Sequence, residues 1–162
     1  MSEITETLPS NEILENLRKS ADEGLVILGL EPLFAYEPEE VLEALNTFVS
    51  NWKKGNKPAN VGFENARIAL ASLWGERVRR ALNWQWGYIG DANGAQLIGV
   101  FNKDRSLAIY PFEFIGSCLT KPDVQVTILL AYNMLKQGKI PKLTPSSYTD
   151  VMSGVRYIVP PK

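Results

Sequence analysis

The chain has no histidine and a single cysteine, Cys118, among its 162 residues. Without histidine there is no imidazole base for a Ser-His-Asp triad, no imidazole metal ligand, and no side chain whose ordinary pKa lies near neutrality. One cysteine makes neither an intramolecular disulfide nor a thiolate zinc cluster. Long apolar runs are also lacking. Leu25–Leu30 and Ile128–Tyr132 are the longest, far short of the roughly 20 residues that cross a bilayer. Neither sign of charge is in excess, since 17 Lys+Arg against 18 Asp+Glu leave a net charge of −1. The composition therefore gives no basic footprint for nucleic acid and none for an anionic membrane surface. Gly87, Gly90, Gly94 and Gly99 follow neither the GxGxxG nor the GxxxxGK order of a phosphate loop. No metal and no cofactor is expected. The opening residues, Met1 to Glu6, lack the positive and long apolar segments of a secretory signal. A lone cysteine suits a reducing interior, so the expected location is cytoplasmic.

The length fits one domain of roughly 100–200 residues. Hydrophobic periodicity predicts a single α+β domain over 1–162: a helical region over 1–60, a helix, meander and further helices over 61–140, and a tail over 141–162. The first helix starts near Ser10, an N-cap candidate, with Ile13, Leu14, Leu17 and Ala21 at helical spacing and Gly24 as its stop. Leu25–Leu30 reads either as a buried strand or as more helix. Pro38, Glu39 and Glu40 open a second helix, whose stripe runs from Val41 to Trp52 and which ends near Lys54-Gly55. A third, about 62–82, is apolar nearly all round, with Asn65, Ser72, Glu76, Arg79 and Asn83 on a narrow polar face.

The period then changes to two. Trp84–Ile89, Gln96–Phe101 and Ser106–Tyr110 read as a three-stranded antiparallel meander, with Asp91-Ala92-Asn93-Gly94 as its first hairpin turn. Pro111 begins a short helix, Phe112 to Leu119. A last helix is expected from about Pro122 to Gln137, stopped by Gly138, and Val155–Val159 reads as an edge strand. The tail is expected to pack on the sheet edge or to engage a second copy in a homodimer.

Charge is balanced in total but not along the chain. Residues 1–52 carry 11 acidic and 2 basic side chains, and residues 53–162 carry 7 acidic and 15 basic. The structural reading is that solvated helix faces attract the rest of the domain. The functional reading is a docking surface for a basic protein partner, densest at Glu37, Glu39, Glu40 and Glu43. Trp84, Trp86 and Tyr88 share one strand face, which suits a helix-on-sheet core or a platform for a small molecule or glycan. If one ring there is exposed, Trp84 or Trp86 is the expected one, because each sits where helix yields to strand. Glu76, Asp104 and Glu113 are the candidates for a carboxylate-dependent hydrolase, which needs two carboxylates about 5–10 Å apart across a cleft. Glu76 with Arg80 reads more simply as a surface ion pair. Cys118 reads as a small buried hydrophobe.

Leu73-Trp74-Gly75-Glu76, Asn83-Trp84-Gln85-Trp86 and Ile109-Tyr110-Pro111-Phe112 stand in an order that resembles a family of bacterial domains of unknown function. In that family a Gly-Glu helix precedes a Trp-containing strand, and a later strand ends at a proline before a helix. The likeness covers about residues 62–120 and implies no catalytic residues. A further likeness, to bacterial toxin-immunity proteins, implies action by binding. The leading expectation is thus a non-enzymatic protein-binding domain, followed by a small-molecule or glycan-binding module and then by a carboxylate-dependent hydrolase.

Overall fold

At Asn83 the backbone turns left-handed (φ 58°) and a helical half gives way to a sheet. The computed structural model describes residues 4–90, 96–121, 123–140 and 143–152. Within them the helices are α1 (Asn11–Ile27), α2 (Pro38–Lys53), α3 (Phe63–Leu82), α4 (Pro111–Thr120) and α5 (Ile128–Lys136). The strands are β1 (Thr5–Thr7), β2 (Gln85–Gly90), β3 (Gln96–Phe101), β4 (Leu107–Ile109) and β5 (Thr149–Asp150). The chain is therefore α+β, but the sheet differs from the expected one. The antiparallel meander β2-β3-β4 forms the middle of a mixed five-stranded sheet, with β1 antiparallel to β2 and β5 parallel to β4. The two added strands are three and two residues long and largely polar. They carry no alternating apolar pattern that would mark them as strands in the sequence. The Asp91–Gly94 turn, Pro122 and the Val155–Val159 strand lie outside the described residues.

Local chemistry sets most helix ends. Ser10 Oγ accepts the Ile13 N–H at 3.2 Å, which caps α1. Gly24 does not stop this helix. It continues through Ile27 and ends at Gly29 (φ 78°), where the Leu30 N–H reaches the Leu25 carbonyl at 2.8 Å, a Schellman closure. Leu25–Ile27 is therefore helix and not strand. Gly24 serves packing instead, since a Cβ there would stand 2.6 Å from the Ala69 carbonyl oxygen of α3. The last helix also begins later than its composition suggests, at Ile128. Val124, Val126 and Thr127 are β-branched and weak helix formers. The Val124 carbonyl instead accepts a hydrogen bond from Lys53 Nζ of α2.

The core forms around α3. Ala66, Ala69, Leu70, Ala71, Leu73, Trp74 and Val78 are all buried, with α1 along one side and α4 along another. Ser72 and Glu76, expected on an outward polar face, are buried too. Trp86, Val100 and Ile109 extend this core from the sheet's helix-facing side. On the opposite side Phe101, Ala108 and Tyr110 form a second cluster, with Tyr148 packed against it. The Phe101 and Tyr148 rings meet edge-on at 5.1 Å, and the Tyr110 hydroxyl donates to the Tyr148 carbonyl at 2.7 Å. Among the described residues no helix is long and apolar enough to cross a membrane.

Gly75 fixes how closely sheet and helix approach. A Cβ at this position would lie 2.2 Å from the Trp86 ring. Gly75→Ala is therefore expected to destabilise the protein by about 1–3 kcal/mol through overpacking, read as a lower urea midpoint. An unchanged midpoint would mean that the indole does not seat against this turn of α3.

Candidate functional site

A buried indole N–H needs an acceptor. Trp86 Nε1 finds one in Glu76 Oε1 at 2.8 Å. Glu76 stands in α3 with its residue only 7% exposed, and a bare carboxylate there would be costly. Arg79, three residues on along the same helix, answers that cost with a fork: Nε to Oε1 at 2.9 Å and Nη2 to Oε2 at 3.1 Å. Burial pushes the Glu76 pKa up. The hydrogen bonds from Arg79 and Trp86 and the charges of Arg79 and Arg80 outweigh that, so the carboxyl stays below its ordinary range. The expected exposed Glu76–Arg80 pair is thus replaced by a largely buried Glu76–Arg79–Trp86 group. The group is an ionised acceptor, committed to its neighbours.

A second carboxylate–guanidinium fork lies on the sheet. Arg105, in the β3–β4 turn with φ 60°, binds Glu6 of β1 through Nε at 2.7 Å and Nη2 at 3.0 Å. Its Nη2 also donates to Gln85 Oε1 at 2.7 Å, and its Nη1 donates to the Asn102 carbonyl at 2.7 Å. The Tyr148 hydroxyl donates to Glu6 Oε1 at 2.8 Å. The Arg105 hydrogen bond holds the Glu6 carboxyl below its ordinary pKa, burial opposes that, and the Tyr148 bond adds to the lowering. These contacts fasten β1 to the sheet.

Between the two forks opens a cleft of about 590 Å³, lined by Leu14, Arg18, Arg79, Trp84, Lys103 and Arg105 among others. It adjoins a shallower depression that shares Arg18, Glu76 and Arg79 with it and adds Arg77 and Arg80. Much of the chain's positive charge gathers here. Of the predicted aromatic platform, only part reaches the cleft as an open surface. Trp84 is half-buried at its wall, Trp86 is 1% exposed, and Tyr88 is half-buried without lining the cleft. Trp86 points inward because Gly75 leaves room for its ring and Glu76 takes its N–H.

The acidic cluster has structural duties first. Glu40 Oε1 accepts the Glu37 backbone N–H at 3.3 Å, the reciprocal contact of a capping box, and Glu39 pairs with Lys136 of α5. Glu40 and Glu43 line an open groove of about 540 Å³ along α2, with Leu28 and Phe48 beside them. Glu76 and Glu113 line different cavities. Glu113 lines a separate depression near Lys121 and Asp123, and Asp104 accepts the Ser106 N–H at 3.0 Å and its hydroxyl at 2.6 Å. Cys118 is fully buried, and burial pushes its thiol up to about 12.

Composition and spacing single out neither Arg18, Arg79 and Arg105 nor the loop between α1 and α2. In that loop the Tyr36 hydroxyl accepts the Glu31 N–H at 2.9 Å, and the Phe34 N–H meets the Glu31 carbonyl at 3.1 Å. The closed turn leaves Leu33 91% and Phe34 65% exposed. The signal in the sequence is slight: two large apolar residues outside any periodic stripe. No known family, curated protein or solved structure matches the chain.

Glu76 and Glu6 both titrate below the ordinary 4.5 in the folded chain. Their stabilisation is complete above the unfolded value and is lost as pH falls through the folded values. Wild-type stability is therefore expected to fall progressively as the pH drops below about 5. Glu76→Gln, which keeps the shape and removes one of these charges, should flatten that slope and cost about 1–3 kcal/mol at neutral pH. Urea titrations across this range check both, and equal slopes for the two proteins would contradict the assignment.

Proposed function

We propose that the chain is a non-enzymatic, cytoplasmic binding domain that docks a basic protein through the Glu31–Tyr36 loop and the adjoining groove of α2. The observation that carries this reading is the exposure of Leu33 and Phe34 on a hydrogen-bonded turn. Adjacent large apolar side chains exposed to solvent are unfavourable for an isolated domain, and a hydrogen-bonded turn presents them to a partner at reduced ordering cost. Phe34 and Tyr36 contact each other edge-on at 6.2 Å, which steadies the aromatic side of the tip.

Electrostatics selects the partner class. Glu31 lies in the turn, Glu37 follows it, and Glu40 and Glu43 line the groove beside Leu28 and Phe48. An apolar floor with an acidic rim suits a segment that has apolar anchors and Lys or Arg at its edges. Such complementarity raises association rate and specificity. The likeness to toxin-immunity proteins supports the same mode, since these act by occupying a partner. Glu39 contributes less directly, because Lys136 neutralises it.

The test compares wild type with Leu33→Asp/Phe34→Asp as immobilised baits, first against the product of a neighbouring gene. Both changes fall on exposed side chains and should leave circular dichroism and melting unchanged. A basic partner retained by wild type should bind the double variant at least ~30-fold more weakly, as expected for loss of two anchors. Its retention should also fall as salt rises. A partner held equally by both baits would overturn the assignment of this surface.

A further inference from the structure

We propose that the cleft between α1, the end of α3 and the start of β2 binds a small organic phosphate that carries a planar ring. Its wall combines four cations, Arg18, Arg79, Lys103 and Arg105, with one half-buried indole, Trp84. The one carboxylate in the wall, Glu76, is already engaged by Arg79 and by Trp86. Glu6 offsets Arg105 in the same way from outside the wall, so the excess positive charge that the cleft presents to an occupant rests on Arg18 and Lys103.

Two of the four cations are held in place before any ligand arrives. The Glu76 fork orients Arg79, and the Glu6 fork with the Asn102 carbonyl orients Arg105. Guanidinium groups fixed in this way lose little freedom on meeting an anion, and their planar donors match phosphate oxygens. Arg18 and Lys103 are exposed and have no hydrogen-bond or ion-pair partner among the described residues. Their charges are free to close over a multiply charged group. A singly charged carboxylate would leave much of this charge unanswered, whereas a phosphate monoester or diphosphate matches it. Trp84 adds a flat apolar face beside the cations, which suits a stacked ring. The volume of about 590 Å³ accommodates a molecule of nucleotide size. The cleft shares no lining residue with the α2 groove, so this site is separate from the protein-docking surface.

Adenosine diphosphate, inorganic phosphate and adenosine serve as probes in calorimetric titrations and thermal-shift measurements at low and moderate salt. The nucleotide should bind more tightly than either fragment, raise the melting temperature, and weaken with salt. Arg18→Gln/Lys103→Gln removes the two unpartnered charges without touching either fork, and should weaken nucleotide binding at least tenfold. Trp84→Ala should reduce nucleotide affinity toward that of phosphate alone, with inorganic phosphate binding unchanged. The Leu33→Asp/Phe34→Asp protein should bind the nucleotide as wild type does, which separates this site from the docking surface. No binding of the nucleotide at millimolar concentration, or equal binding by wild type and Arg18→Gln/Lys103→Gln, would overturn the proposal.

Discussion

The hydrogen bond from Trp86 Nε1 to Glu76, at 2.8 Å, joins the two halves of the molecule. It links the middle of the central helix to the second residue of the first long strand. An indole of this size has to be accommodated by what faces it, and the glycine at position 75 leaves the space. The carboxylate that accepts the indole N–H hydrogen bond keeps its charge, which has to be neutralised in turn, and Arg79 is placed one turn along for that purpose. Packing, hydrogen bonding and charge are thus satisfied by four residues, Gly75, Glu76, Arg79 and Trp86. The position of the sheet against α3 depends on them. So does the outline of the cleft, because Arg79 lines the cavity that this contact leaves open.

The same device recurs on the sheet with different members. Glu6 brings the short strand β1 under Arg105 and Tyr148, and the loop before β5 is drawn over Phe101. A three-residue polar strand has little apolar surface to hold it down. Here a charge-assisted fork and a tyrosine hydroxyl supply the attachment. In both forks a carboxylate consumes part of an arginine's donors and fixes the direction of the rest. The two surfaces that follow differ in sign. Cations converge at the end of α3, while acidic residues and two exposed apolar side chains stand at the start of α2.

Much of the helical half was legible from residue order. Ser10, Pro38, Gly55 and Gly138 mark ends because capping and left-handed backbone are local properties of a few adjacent residues. The stripe of α2 and the apolar surround of α3 follow from the 3.6 period in the same way. Gly24 misleads for the converse reason: its role is set by Ala69, forty-five positions along the chain. β1 and β5 were not legible, since strands this short are defined by their neighbours. The clustering of Glu37, Glu39, Glu40 and Glu43 was visible in the sequence. The capping contact of Glu40 and the pairing of Glu39 with Lys136 required the fold.

Composition alone determined which chemistries this chain lacks. With no histidine and one cysteine, no arrangement in space can produce an imidazole relay or a thiolate cluster. Residue order determined that the two ends of the chain differ in charge. Tertiary structure alone decided where that charge lies, which tryptophan is core, and which arginines meet. Those outcomes depend on contacts between residues far apart in sequence, such as Glu6 with Arg105, and no local pattern encodes a distance across the fold. Absence is a property of the list of residues, whereas a site is a property of their placement.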